Sequence, residues 1–353
     1  MTDFFECDYD RSRQRFRQDV KSLDGDLETY AIDSDQDLTI DIGRLGKPDA
    51  KRCLLLTTGV HGVEAPLGTA VLHWLLTQDA LVDGASVRMV LVHAVNPYGF
   101  RHRRRVNETN VDLNRNFLCD GELYSGAPEA YRRYDPLLNP RRRRRGFDLF
   151  LGRAVLAVLR DGLDPLKQAV AGGQYEFPEG LFFGGDAASY SLQVFSQHFQ
   201  RWISGAQLIA HLDFHTGLGE FGRYKLLLLD GDASEDAQWY RSIAPKGLVE
   251  PSDQADATAY ETSGSLGQWC RRHATPDQSY HFANVEFGTY GPIRMLSALR
   301  SENQAVHHGT TSQQWAAKAN LAECFCPQAE SWRSQVIDRS AELLQKVLAH
   351  LNA

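Results

Sequence analysis

The sequence predicts an α/β fold in which a mixed, mostly parallel central sheet is flanked by helices. Short apolar runs bounded by glycine, proline or polar residues alternate with longer segments whose apolar residues recur at helical spacing. The apolar centres of the runs are typical of strands buried on both faces of a sheet. Strands are expected at 52–58, 86–93, 207–214, 224–229 and 281–287.

Helices and a hairpin are expected around these strands. An amphipathic helix is predicted over 8–23, with Phe16 and Val20 facing inward, and a β-hairpin over 27–44. The sequence Asn-Pro-Tyr-Gly at 96–99 predicts a loop. Further helices are expected at 64–77, within 146–171, and at 189–204, 292–306 and 328–351.

Length and composition are ordinary for one α/β enzyme domain. The 353 residues are predicted to form a single domain over 1–353, with an insert at about 118–205. A net charge of −7 argues against general binding to nucleic acid or to an anionic membrane. The acidic N-terminus, the lack of a long apolar stretch and the six scattered cysteines predict a cytoplasmic protein with reduced thiols.

The first candidate for chemistry is the pair His61 and Glu64. The apolar run before them ends at Gly59, and the predicted helix begins at Glu64, so both side chains lie at the carboxyl edge of a strand. An imidazole nitrogen and a carboxylate oxygen at this spacing could share a Zn²⁺ ion. The alternative is a helix N-terminus in which Glu64 only interacts favourably with the helix dipole. The short motif alone favours neither interpretation.

Two later stretches place polar residues where the same edge of the sheet is expected. Asp213 and His215 end an apolar strand, and alternation along a strand puts both on one side, together with His211. Asp213 could orient a histidine that binds a metal. Glu286 interrupts another apolar strand near its end, where a buried carboxylate is costly unless it is paired or functional.

Asn114 and Arg115 form a third candidate within a polar stretch at 106–117. A planar guanidinium beside an amide is a natural receptor for a carboxylate. The alternative is a loop held by surface ion pairs, which the stretch by itself favours.

Together, the motifs resemble the ordered signature of the zinc carboxypeptidase (M14-like) superfamily. The motifs are His-Gly-Val-Glu at 61–64, Val-Asp-Leu-Asn-Arg-Asn-Phe at 111–117, Asp-Phe-His-Thr-Gly at 213–217 and Val-Glu-Phe-Gly-Thr-Tyr-Gly at 285–291. Their form is most similar to the DUF2817 branch, which is related to the aspartoacylase and succinylglutamate desuccinylase deacylases. Four motifs in order, from about residue 40 onward, are far more specific than one.

The resemblance implies a role for each residue. His61, Glu64 and His215 would bind one zinc ion per chain, and Glu286 would be the general base. Asn114 and Arg115 would hold a substrate carboxylate. The family's carbonyl-polarising arginine is assigned to Arg105, with Arg101, Arg103 and Arg104 as alternatives. The active-site tyrosine is assigned to Tyr290, with Tyr260 and Tyr280 as alternatives.

The sequence therefore predicts a zinc-dependent hydrolase that cleaves a peptide or amide bond next to a free carboxylate. The alternatives are an N-acyl-amino-acid deacylase of the aspartoacylase type and a non-catalytic zinc- or ligand-binding protein. The expected partner is a small peptide or N-acyl amino acid, with no nucleic acid and no membrane; the sequence does not define the oligomeric state. The five arginines at 141–145 are interpreted as a solvated loop.

Overall fold

A computed structural model describes residues 2–33, 35, 37–78, 86–142, 150–162, 172–245, 247–253 and 263–353 of the chain. Its described strands form one eight-stranded mixed sheet in the order β1-β2-β4-β3-β5-β8-β6-β7. The strands are β1 (Asp26–Asp33), β2 (Leu38–Leu45), β3 (Arg52–Thr58), β4 (Val87–His93), β5 (Leu208–Phe221), β6 (Tyr224–Leu227), β7 (Val249–Glu250) and β8 (Ser279–Gly288).

Helices flank the sheet. The α-helices are α1 (Tyr9–Ser22), α2 (Ala65–Leu75), α3 (Pro97–His102), α4 (Glu129–Leu138), α5 (Phe150–Asp161), α6 (Tyr190–Ile203), α7 (Glu235–Ile243), α8 (Leu266–Arg272), α9 (Pro292–His308), α10 (Thr311–Phe325) and α11 (Glu330–Asn352). Short 3₁₀ turns cover Thr2–Phe4, Gly62–Glu64 and Leu113–Arg115. In the described part of the chain, no helix combines the length and the apolar character needed to cross a membrane.

The centre of the sheet is parallel, and the strand on either side of this centre runs antiparallel to it. β4, β3, β5 and β8 run in the same direction, whereas β2 pairs antiparallel with β4, and β6 antiparallel with β8. The register places Thr58 beside Phe214 and His215 beside Glu286. The carboxyl ends of β3, β5 and β8 therefore meet at one edge of the sheet, where ligands bind in open α/β sheets.

Apolar side chains cover both faces of the parallel centre. Leu67 of α2 and Trp332 of α11 belong to the buried cluster on one face, and Phe195 of α6 and Trp269 of α8 to the cluster on the other. This two-sided burial explains why the central strands are mostly apolar. The predicted fold class, a mixed and mostly parallel sheet flanked by helices, is confirmed.

Most predicted elements are present with small shifts at their ends. The helix predicted over 8–23 is α1, and its Phe16 and Val20 are fully buried as expected. The hairpin of β1 and β2 is present, and β5 continues beyond the predicted end at 214 to Phe221. Within the helical stretch predicted at 146–171, α5 is described, and 163–171 lie outside the described residues.

One prediction of local structure was wrong, and two helices, α4 and α10, were missed. The predicted loop at 96–99 contains the start of α3: the Asn96 side chain accepts from the Gly99 N–H, and Pro97 occupies the first turn. Asparagine and proline punctuate loops, but they are equally suited to begin a helix. Helix α10 was not predicted, although Thr310 and Gln313 form a capping box before it.

The turn that carries the first motif packs directly against the backbone of α3. The Gly62 N–H donates to the Arg105 carbonyl at 3.2 Å. A Cβ atom on Gly62 would lie only 2.2 Å from the carbonyl carbon of Gly99. Glycine at position 62 therefore allows the two backbones to approach each other and fixes the turn between His61 and Glu64.

We expect Gly62→Ala to lower the free energy of unfolding by about 1–3 kcal/mol, because backbone atoms of α3 cannot move aside as a side chain can. Urea unfolding measures this change. Gly152→Ala in α5 is the control, since a Cβ atom there meets nothing within 4 Å and the helix should be unchanged or slightly stabilised. Equal stability of the wild type and Gly62→Ala would contradict the close backbone contact.

Candidate metal centre and active site

Three residues of the predicted metal set come together at the carboxyl edge of the sheet. His61 follows β3, Glu64 ends the 3₁₀ turn after it, and His215 lies within β5. Their potential ligand atoms all lie within 4.8 Å of one another, and all three side chains are buried. The motifs that are far apart in the sequence thus form one compact group of two imidazoles and a carboxylate.

Each histidine of this triad lies against a second carboxylate. His215 Nε2 is 2.7 Å from Asp213 Oδ2, which leaves Nδ1 facing Glu64 Oε2 at 3.2 Å. His61 Nδ1 is 3.3 Å from Asp112 Oδ1. The orienting role of Asp213 was considered from the sequence. Asp112 was missed, although it stands at the start of the Asp-Leu-Asn-Arg sequence at 112–115.

The residues of the triad fit a zinc ion in their chemistry. Two imidazole nitrogens and one carboxylate oxygen are the ligands of many hydrolytic zinc sites, which keep a further position open. His61 Nδ1 is fully buried and, although close to Asp112, makes no aligned hydrogen bond. A buried ring nitrogen without an aligned hydrogen bond is costly, so the group is not fully satisfied by its protein partners.

The charges of the triad depend on one another. Burial would raise the pKa of Glu64, but His61, His215 and Arg105 lower it below its ordinary value. Burial would lower the pKa of His215, but Asp213 and Glu64 raise it well above its ordinary value. The site therefore favours an ionised Glu64 and positive charge beside it, which a metal cation would provide.

Arg105 contacts three members of this edge at once. Its Nε donates to Asp112 Oδ2 at 2.9 Å and its Nη1 to Glu64 Oε1 at 3.3 Å, while Nη2 lies 2.7 Å from His61 Nε2. Because a guanidinium only donates, His61 Nε2 acts as the acceptor in this contact. Arg105 therefore contacts two of the three residues that would hold a metal ion, His61 and Glu64.

The other candidate arginines have different surroundings. Arg101 pairs with Asp10 on α1. Arg104 is buried, and its Nε donates to Glu302 Oε1 at 2.8 Å. Arg103 has a left-handed φ of 53° at the end of α3 and is exposed. The geometry thus favours Arg105 over the three alternatives that the sequence left open.

Glu286 lies on β8 directly beside His215 of β5 in the sheet register. Its Oε1 accepts from the Leu218 N–H at 2.8 Å. Burial and the neighbouring negative charge of Glu64 raise the pKa of Glu286 to about 7. The side chain is therefore a carboxylate that can both accept and release a proton near neutral pH, next to the proposed metal ligands.

Asn114 and Arg115 differ in which of their polar side-chain atoms already form hydrogen bonds within the protein. Asn114 Oδ1 accepts from the Leu266 N–H at the start of α8 at 2.9 Å, so this part of the amide is structural. Arg115 Nη1 donates to the Asn114 carbonyl at 2.7 Å, and Nε is buried without a hydrogen bond. Among the described residues, no carboxylate forms an ion pair with Arg115, which leaves its guanidinium suited to an anionic ligand.

The backbone around Arg115 holds its side chain closely. A Cβ atom on Gly173 would lie 2.7 Å from Arg115 Cδ, so glycine makes room for the arginine stem. Tyr175 Oη donates to the Arg115 carbonyl at 2.8 Å. Both residues belong to the stretch 172–185, whose glycines and aromatic residues therefore border the candidate carboxylate site.

The three candidate tyrosines are in different positions. Tyr290 Oη donates to Glu323 Oε1 at 2.7 Å, and its ring lies under the Arg294 guanidinium. Tyr280 is buried, and its hydroxyl lies 2.7 Å from His211 Nδ1. Tyr260 lies outside the described residues. The assignment of Tyr290 to substrate binding stays a prediction.

The arginine run at 141–145 is only partly described. Arg141 Nη2 donates to Asp135 Oδ2 at 3.0 Å, in agreement with a surface ion pair. The residues at 143–145 lie outside the described part of the chain.

The chain belongs to the DUF2817 family. The family model described as "Protein of unknown function (DUF2817)" matches residues 5–339, and the family assigned from the four motifs is thereby confirmed. A search of curated proteins finds no match.

Several solved structures are similar to the chain at low sequence identity. A candidate metallopeptidase from Shewanella amazonensis is 14% identical, with a TM-score of 0.49, over 91% of this chain and 95% of that one. Carboxypeptidase A from Helicoverpa armigera is 12% identical, with a TM-score of 0.47, over 89% and 73%. Bovine thrombin-activatable fibrinolysis inhibitor is 11% identical, with a TM-score of 0.47, over 98% and 96%.

Proposed function

We propose that this protein is a zinc-dependent hydrolase that cleaves a peptide or amide bond next to a free carboxylate, as a carboxypeptidase does. The observation that carries the proposal is the meeting of His61, Glu64 and His215 within 4.8 Å, with Glu286 beside His215 in the sheet. Two imidazoles, a carboxylate and an adjacent second carboxylate are the residues that metal-assisted hydrolysis requires. The six free cysteines suit a reducing compartment, and we propose a cytoplasmic location.

In this proposal His61, Glu64 and His215 hold the zinc ion, and zinc supplies Lewis-acid activation of water for attack on a carbonyl carbon. Glu286 accepts the proton of the attacking water and returns it to the leaving nitrogen. A pKa near 7 suits both transfers, because neither the acid nor the base form is strongly favoured at neutral pH. Arg105 donates to the carbonyl oxygen of the scissile bond and stabilises the negative charge that develops there.

Arg115 is proposed to hold the substrate carboxylate. The guanidinium is buried, its stem is enclosed by Gly173, and it lacks a carboxylate partner among the described residues. A bidentate ion pair in such a place is stronger than one on the surface. The contact would fix the distance between the carboxylate and the scissile bond, which defines the position of cleavage in the substrate.

The N-acyl-amino-acid deacylase remains a second candidate. Its substrates also carry a carboxylate beside an amide, so Arg115 and Glu286 would have the same roles. The two reactions differ in the group on the acyl side of the bond, which is a peptide residue in one and a small acyl group in the other. Assaying both substrate types with the same enzyme would assign the class.

The first prediction concerns the metal. Purified protein should contain about one zinc ion per chain, and His61→Ala or His215→Ala should lose most of it, because three protein ligands are needed to hold the ion. Elemental analysis after dialysis gives the stoichiometry. His281→Ala is the control, since this buried histidine bonds Asp236 and lies outside the triad. Unchanged zinc content in both triad variants would overturn the ligand assignment.

The second prediction concerns the general base. Glu286→Gln should keep zinc and fold but lower kcat by about 10²–10⁴, because an amide cannot accept the proton of water. Steady-state kinetics on a cleaved substrate provide the measurement. Glu302→Gln is the matched control: it removes the charge of another buried glutamate, paired with Arg104, and should affect stability more than kcat. Near-normal turnover by Glu286→Gln would make Glu286 a structural residue.

The third prediction concerns substrate recognition. Arg115→Lys should lower kcat/KM for substrates with a free carboxylate about tenfold or more, because lysine keeps the charge but loses the bidentate fork. The same substrates with the carboxylate amidated should be poor for the wild type and little changed by the substitution. Arg104→Lys serves as the control, since that arginine pairs with Glu302. Equal kcat/KM for free and amidated substrates in the wild type would exclude carboxylate recognition by Arg115.

A further inference from the structure

A network of hydrogen-bonding side chains leads from the proposed metal ligand His215 into the interior of the sheet. His215 Nε2 lies 2.7 Å from Asp213 Oδ2, and Thr57 Oγ1 donates to Asp213 Oδ1 at 2.7 Å. Thr57 Oγ1 is also 2.8 Å from His211 Nε2, and His211 Nδ1 is 2.7 Å from Tyr280 Oη. Asp213, Thr57 and His211 have no exposed surface, and Tyr280 has 8%. The network crosses three neighbouring strands, β3, β5 and β8.

The chemistry of each side chain determines which atoms of this network donate and which accept. Each oxygen of the Asp213 carboxylate has one partner, Thr57 Oγ1 for Oδ1 and His215 Nε2 for Oδ2, and a carboxylate accepts from both. Thr57 gives its only proton to Asp213, and it must therefore accept from His211 Nε2. Burial lowers the pKa of His211 to about 4, so its ring is neutral and Nδ1 accepts from the Tyr280 hydroxyl.

This order defines which nitrogen of His215 is available to a metal. Because Asp213 only accepts, His215 Nε2 carries hydrogen, and Nδ1 is the nitrogen that faces Glu64 at 3.2 Å. The plane of the ring then depends on the orientation of the Asp213 carboxylate. One carboxylate oxygen holds His215, and the other is held by Thr57, so rotation of the carboxylate would break both contacts.

We propose that Thr57 and His211 are positioning residues for the metal centre: they hold the Asp213 carboxylate, and through it the ring of His215, in the orientation that binds the ion. The inference rests on the proposed metal site and adds residues that do not touch the ion or the substrate. Partners of this kind, behind the ligands, contribute to metal affinity because a ligand ring that is free to turn binds a metal less well. Tyr280, at the other end of the network, holds the His211 ring.

A purely structural role would have a different consequence. Thr57 also satisfies two buried polar groups, so its hydroxyl contributes to the stability of the sheet whatever the site does. That contribution changes the unfolding of the metal-free protein but does not by itself change the affinity of folded protein for zinc. The two roles are therefore separated by measuring zinc affinity and metal-free stability in the same variants.

The experiment compares Thr57→Val, Thr57→Ser and Thr58→Val in the full-length chain. Valine keeps the shape of threonine without the hydroxyl, and serine keeps the hydroxyl. Thr58→Val is the matched control, because Thr58 is the next residue of β3 and its buried hydroxyl donates to the Val92 carbonyl instead. For each variant, competition with a chromophoric chelator gives the zinc dissociation constant, the visible spectrum of the cobalt-substituted protein reports ligand geometry, and urea unfolding gives the metal-free stability.

We expect Thr57→Val to weaken zinc binding about tenfold or more and to change the cobalt spectrum. Thr57→Ser should bind zinc nearly as tightly as the wild type, and Thr58→Val should lose stability without losing affinity. If Thr57→Val does not fold, Tyr280→Phe takes its place, because it removes the hydroxyl that contacts His211 and keeps the ring. Its loss of zinc affinity should exceed that of Thr58→Val.

Wild-type zinc affinity in Thr57→Val, with a loss of stability equal to that of Thr58→Val, would overturn the inference. Where Thr57→Val cannot be studied, equal zinc affinities of Tyr280→Phe and Thr58→Val would overturn the inference. Neither result would affect the proposed function, which fails separately if the wild type binds no zinc.

Discussion

The site depends on the burial of several carboxylates at one edge of a parallel sheet. Glu64, Asp112, Asp213 and Glu286 are each at most 8% exposed. In a low-dielectric interior such charges persist only when cations or hydrogen-bond donors compensate them. Arg105 compensates part of this charge by pairing with Glu64 and Asp112. A divalent cation between the two histidines would compensate more of it, and this electrostatic balance makes the same edge both costly for folding and suited to a metal.

Two arginines at this edge have different surroundings. Arg105 is bound to Asp112 and Glu64, which hold its guanidinium beside the proposed metal ligands. Arg115 is close enough to Arg105 for the positive charges to repel, and burial together with that repulsion lowers the pKa of Arg115 although Asp112 opposes the change. An anionic ligand would relieve the repulsion, so the arrangement favours a substrate that carries a negative charge.

The prediction of the elements succeeded where burial imposes a periodic pattern and failed where it does not. Strands β3, β4 and β8 were found from their apolar runs, since both faces of each are covered by helices. Helix α10, by contrast, buries few residues, and its apolar residues are spread around the helix, so it has no apolar stripe to indicate a helix. The capping box at its start was the available signal. The start of α3 was misread because asparagine followed by proline is common to loops and helix N-termini.

The sequence by itself determined the family, the fold class and the four motifs, because motif residues are close to one another along the chain and strand patterns are local. It could not determine which arginine of 101–105 reaches the proposed metal ligands, nor that Asp112 lies beside His61. It also gave no reason to connect Thr57 with His211 and Tyr280. Those relations were decided by the tertiary structure, which brings Thr57 beside His211, 154 residues away, and Arg105 beside His61, 44 residues away. Local patterns carry no information about such contacts, because they are set by how whole strands, helices and loops pack.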